Sequence, residues 1–211
     1  MSHDDFEIEP VEGLPEKPPA GEEILWQGRP AWWPLAKEAL AVRWVAGYFV
    51  VLALWRFVSV LDLLPLGRAI GATVPYLMLG AVVCGLLTLV AVAQARATVY
   101  TVTDARVVMR IGAALTLTLN LPYKQVGNAM LDLRPDGTGT IALDTLGETR
   151  LSYLTCWPHV RPWHIRRAQP ALRCIPEAGK VARLLAEAAE ARISVPVVER
   201  GAAAPETVAA E

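Results

Sequence analysis

Two long apolar runs, residues 39–61 and 69–95, interrupt a chain that otherwise alternates in short steps. They are 23 and 27 residues long, and ~20 apolar helical residues suffice to cross a hydrocarbon core of ~30 Å. The pattern predicts a transmembrane hairpin turning over residues 62–68. The first run carries Arg43 and Arg56, 13 positions apart, roughly 20 Å along a helix. Each reaches its own interface by snorkelling. Trp44 and Trp55 beside them, and Trp32 and Trp33 just ahead, fit interfacial aromatic belts. In the second run Gly80 and Cys84 form a small-xxx-small pair, read as packing within the hairpin with a homodimer seam as the alternative.

Period-two alternation marks the strands. Ile24–Gln27 precedes the hairpin; after it come residues 99–103, 106–111, 114–121, 126–134, 140–144 and 151–155. The clearest is 114–121, with Leu115, Leu117, Leu119 and Leu121 on one face and Thr116, Thr118 and Asn120 on the other. Pro135-Asp136-Gly137 supplies a turn, because proline presets φ and glycine permits positive φ. Pro176 and Glu177 open a final helix in which Ala178, Val181, Ala182 and Leu185 share a face. Residues 1–20 and 194–211 lack periodicity and are expected to be disordered.

Charge sharpens this division. Net charge is −1 over 211 residues, so no global bias points to nucleic acid. Residues 1–23 hold eight acids against one lysine, whereas residues 151–175 hold four arginines and no acid. The segment 156–174 is the leading candidate surface. It combines Trp157, His159, Arg161, Trp163, His164, Arg166, Arg167 and Arg173 with three prolines. Tryptophan and arginine are enriched in binding hot spots, and basic residues near a membrane are each worth ~1 kcal/mol against anionic headgroups. Partner contact and lipid contact are both open. Trp32, Trp33, Arg43 and Arg56 are expected to be membrane-interface anchors.

Signatures of catalysis are absent from the sequence. There is no phosphate-binding glycine loop or nucleophile elbow. His159 and His164 are five apart and separated by Pro162, so they do not share a helical face as a metal pair would. Asp132 and Asp144 read as solvent-facing strand positions, and His3 falls in the acidic tail. Cys84, Cys156 and Cys174 form no disulfide or zinc pattern. No enzyme activity, cofactor or metal is expected.

Seven short strands and a closing helix describe a pleckstrin-homology-like (PH-like) barrel. The expected fold class is an α+β membrane protein, its barrel interrupted after the first strand by the hairpin. Specific motifs support it. Gly21–Pro30, Tyr100–Val107 and Leu121–Val126 resemble the corresponding strands of bacterial PH-domain membrane proteins. Arg29-Pro30-Ala31-Trp32-Trp33-Pro34-Leu35-Ala36 and residues 161–170, Arg161-Pro162-Trp163-His164-Ile165-Arg166-Arg167-Ala168-Gln169-Pro170, narrow the resemblance. They are similar to the PuhB-type photosynthetic-complex assembly proteins of purple bacteria. That resemblance implies a role in assembling the reaction centre and its light-harvesting complex, with their subunits as partners, at the bacterial inner (intracytoplasmic) membrane. A general membrane-surface module for lipid or another membrane protein is the alternative. The basic loop that holds inositol lipids in eukaryotic PH domains lies between the first two strands, where this chain has the hairpin. That replacement argues against such recognition.

Basic residues near span ends set orientation. Arg29, Lys37, Arg96, Arg106 and Arg110 flank the outer ends of the hairpin, while the turn offers Arg68. Both termini are therefore expected on the cytoplasmic side. Reporter fusions at either end should report a cytoplasmic location; an external terminus would reverse the assignment.

Overall fold

A computed structural model describes residues 11–113, 115–147 and 151–194. Its β-strands form two antiparallel sheets. The first has the order β1(Ile24–Gly28), β2(Val99–Thr103), β3(Arg106–Ile111), β4(Leu117–Pro122). The second has the order β5(Val126–Leu133), β6(Gly139–Thr145), β7(Ala171–Ile175). Between β1 and β2 lie α1(Trp32–Glu38), α2(Val42–Val60), α3(Leu66–Gly71) and α4(Val74–Ala97). A short α5(Tyr153–Cys156) precedes β7, and α6(Ala178–Ser194) closes the described chain.

Strand β1 pairs with β2 across the whole intervening hairpin, Trp26 opposite Val102 and Gly28 opposite Tyr100. The first strand predicted from sequence is thus part of the later sheet. The core lies between the sheets and under α6. Tyr100, Val102, Met109 and Ile111 meet Ile141, Leu143, Leu172 and Ile175, while Val181 and Leu185 cover them from the helix. Turn chemistry follows the sequence closely. Thr103 Oγ1 accepts from the backbone N–H of Ala105 and Arg106. Asp136 Oδ1 accepts from the N–H and hydroxyl of Thr138, with Gly137 at φ +78°.

Several expectations need correction. Seven strands form, but the segment 151–155 is not one of them: Ser152 caps a helical turn there, accepting from the N–H of Thr155. The seventh strand is Ala171–Ile175, which overlaps the end of the segment 156–174 read as the candidate surface. Leu115 does not join the inner face of β4; it is 87% exposed, because the chain turns at Gly112 (φ +102°) and the strand starts at Leu117. Within the segment expected to be disordered, the chain around Leu14 packs on the first sheet. Leu14 is buried, and Gly13 approaches Val99 so closely that a Cβ would sit 2.6 Å from its side chain. This covers the outer face of β2, so Val99, Thr101 and Thr103 are as buried as their core-facing neighbours. Residues 1–10 and 195–211 lie outside the described residues.

The long apolar runs are also redistributed. A separate helix, α1, precedes the first run, and Ala41 at φ +52° breaks the chain before α2. The second run divides into α3 and α4, with Pro75 in the first turn of α4, where its missing N–H costs nothing. At 1.5 Å per residue the 19 residues of α2 and 24 of α4 span roughly 28 and 36 Å. Both are long and apolar enough to cross a membrane, and 11% of each apolar window is buried. A core helix of a water-soluble domain would be mostly covered. Trp44, Trp55, Leu63 and Leu89 instead lie open to the surroundings.

Gly80 is a point of close approach between α2 and α4. A Cβ there would stand 2.7 Å from Phe49 Cβ, and Cys84 Sγ lies 4.0 Å from the Val42 carbonyl. The small-residue pair therefore packs inside the hairpin. Gly80→Leu should force the helices apart and lower stability by about 1–3 kcal/mol, read as a drop in thermal midpoint in detergent. Gly85→Leu, at a position with open space around it, should change it far less.

Candidate functional site

The segment from Cys156 to Cys174 folds back on itself. Ala171 N–H donates to His159 O, and Arg161 N–H donates to Gln169 O. These bonds leave residues 162–167 as a projecting tip. At the tip Trp163 is 90% exposed in a left-handed conformation, φ +66°, and Ile165 is 67% exposed. An L-residue with a bulky side chain rarely adopts that φ, so local backbone strain accompanies its outward display. Arg166 is exposed, His164 Nδ1 lies 2.9 Å from Pro162 O, and Arg167 reaches the Thr145 carbonyl with Asp144 at 3.9 Å. Trp157 is partly open.

His159 is not at the surface. It is fully buried, as is Cys156, and Arg173 is 5% exposed. His159 Nδ1 lies 2.5 Å from Tyr100 Oη and Nε2 lies 3.1 Å from Thr98 Oγ1. Tyr100 Oη already accepts the Arg173 N–H, and burial raises its pKa far above the ordinary phenol range. The phenol therefore keeps its proton and donates it to Nδ1, which assigns the ring proton to Nε2, donating to Thr98. Burial, helped by the nearby Arg173 charge, lowers His159 to about 3. The ring is a neutral structural link between β2 and the arm of the 156–174 hairpin. It is not a surface contact, and both ring nitrogens are taken up by protein partners. No group of three or more histidine, cysteine or acidic side chains able to hold a metal occurs among the described residues.

The sequence-predicted cluster thus separates into an inner and an outer set. Trp163 and Arg166 face outward, with Trp157 half-open, whereas His159 and Arg173 point into the structure. The signal missed was the apolar run Ala171, Leu172, Cys174, Ile175 between Pro170 and Pro176. Such a bounded run is the mark of a buried strand.

A cleft that sequence reasoning did not find opens on the outer face of the second sheet. It measures about 740 Å³. Met130 and Asp132 lie at alternate positions of β5 and Arg134 just past its end, beside Thr140 and Ala142 of β6 and Arg173 of β7. Arg161, Trp163 and Glu38 also line it. Arg134 Nη1 and Arg173 Nε are buried without a hydrogen-bond partner. The expected anchors Trp32 and Trp33 are each about half exposed, with ring centroids 5.7 Å apart and Lys37 Nζ 5.6 Å from the Trp33 ring. Arg43 and Arg56 are exposed on α2. Asp132 and Asp144 lie at different ladder positions, opposite Thr140 and Asn128 respectively, and form no acid–base pair.

Two sheets, a closing helix and an inserted apolar hairpin define a bacterial PH domain protein, and the chain belongs to that family, whose model matches residues 39–189. It is similar along its full length to a Rhodobacter capsulatus protein, 48% identical over 214 residues, covering 100% of this chain and 98% of that protein. That relative is described as an uncharacterized 23.7 kDa protein in the puhA 5′ region. No solved structure matches.

His159→Ala should cost about 2–4 kcal/mol, by opening a cavity and stripping Thr98 and Tyr100 of a partner. The pH dependence has a definite sign. The unfolded ring, near 6.5, binds a proton that the folded ring, near 3, refuses. Stability from this group is therefore complete above pH 6.5 and declines as pH falls toward 3. Denaturant titrations of His159→Gln across that window should show a flatter slope than the parent.

Proposed function

We propose that this chain is a non-enzymatic, PuhB-type assembly factor for the photosynthetic reaction centre and its light-harvesting complex. In this reading α2 and α4 cross the inner membrane and hold the PH domain against its cytoplasmic face. The observation that carries it is the full-length similarity to a purple-bacterial protein whose gene lies in the puhA 5′ region, a photosynthesis gene region. The largely uncovered apolar surfaces of α2 and α4 favour bilayer as their surroundings. Excess basic residues at the sheet end of the hairpin favour the cytoplasmic side.

The exposed tip carrying Trp163, Ile165 and Arg166 is the surface proposed to meet client subunits. Tethering to the same membrane raises the effective concentration of domain and client. Weak contacts then suffice, and weak contacts let an assembly factor leave a finished complex.

Deleting the gene should lower reaction-centre absorbance several-fold while transcripts of the subunit genes stay unchanged. Photo-crosslinkers at Trp163 or Arg166 should capture a reaction-centre or light-harvesting subunit. Normal complex levels in the deletion strain would end this reading. Crosslinks to lipid alone would favour a general membrane-surface module.

A further inference from the structure

Arg134, Arg161 and Arg173 converge on the cleft over the second sheet. Arg173 is 95% buried, the complement of its 5% exposure. Its Nη1 donates to Val160 O at 3.1 Å, but its Nε has no partner. Arg134 Nη2 reaches Thr140 Oγ1 at 3.4 Å, and its Nη1 is likewise buried and unpartnered. Arg161 Nη1 is held at 3.1 Å from Gln169 Oε1. Among the described residues no carboxylate forms an ion pair with any of the three. A buried guanidinium N–H with neither an ion pair nor a hydrogen-bond acceptor is costly unless something supplies the missing acceptor.

We propose that this cleft binds a phosphate-bearing lipid headgroup, with the three guanidiniums as its donors. Planar guanidinium forks match phosphate oxygens in pairs. Glu38 and Asp132 also line the cleft and offset two of the three positive charges. That balance suits a singly charged phosphodiester better than a polyphosphate. Lipid is favoured over a dissolved phosphate compound by position. Glu38 ends α1, and α2 begins at Val42, so the cleft opens at the root of the hairpin. The exposed Trp163 also lines it, and tryptophan prefers the headgroup layer. The lipid source rests on the proposal that the hairpin crosses the bilayer.

The test uses the full chain in a neutral detergent, titrated calorimetrically with short-chain phosphatidylglycerol, short-chain phosphatidylcholine and inorganic phosphate. Saturable phosphatidylglycerol binding, competed by inorganic phosphate, is expected. Arg134→Gln and Arg161→Gln each lose a charge-assisted hydrogen bond, so each should weaken it about tenfold or more. Arg173→Gln should do the same if it folds, and Arg183→Gln, on the exposed side of α6, should not. Equal loss in Arg183→Gln, or no saturable binding, overturns the site. Tight binding of inorganic phosphate with none of the lipid overturns the lipid source, and a glutamate-rich peptide binding in place of both phosphates assigns the cleft to a protein partner. The titration needs no client, so a null result leaves the assembly reading standing. Conversely, normal complexes in the deletion strain would not abolish binding in detergent.

Discussion

Antiparallel pairing of β1 with β2 governs the arrangement of everything else. These strands are adjacent in the sheet but separated in sequence by the entire helical insertion. Their ladder brings the chain that enters α1 and the chain that leaves α4 to one place. Closing so long a loop adds only a logarithmic entropy term, and the insertion reduces it further by packing on itself. Gly80 against Phe49 allows α2 and α4 to approach. Helix α1 then ties their base to the far sheet: Ala31 N–H donates to Cys174 O at 2.8 Å, and Leu35 packs with Ala95 and Cys174. The hairpin is therefore fixed to both sheets at its root, through β1 and β2 on one side and β7 on the other.

This attachment has consequences for the surface. The outer face of β2 is closed by the N-terminal segment around Leu14, and the outer face of β5–β7 is partly roofed by the 156–174 hairpin and the end of α1. Roofing explains how Arg173 becomes buried on the side of the sheet that faces away from the core. The arm of that hairpin that carries His159 turns its ring inward, where Tyr100 and Thr98 are its partners. The projecting tip is the part of the segment left free, and it holds Trp163 and Ile165 outward.

Much was legible without coordinates because it rests on short-range chemistry. The period-two runs gave β2, β3, β5 and β6 within a residue or so, since alternation reports a strand with unlike faces. Asp136-Gly137 announced its turn because the side-chain and φ requirements are local. Failures arose where a distant segment changed the environment. Leu151–Thr155 alternates acceptably, yet Ser152 caps a helical turn; Ala171–Ile175 has no polar alternation because both of its faces are covered.

The amino-acid sequence by itself determined the two apolar helices, the first strand, the closing helix and the aromatic, arginine-rich character of residues 156–174. Each of these depends on composition or on spacing along one element. Tertiary structure alone decided which members of that segment face solvent and which are buried. It also decided that Arg134, Arg161 and Arg173 share one cleft. Their convergence depends on the registers of three strands and on a roof contributed by a hairpin and a helix. No periodicity within one segment encodes that meeting, because it is fixed by packing between elements far apart in the chain.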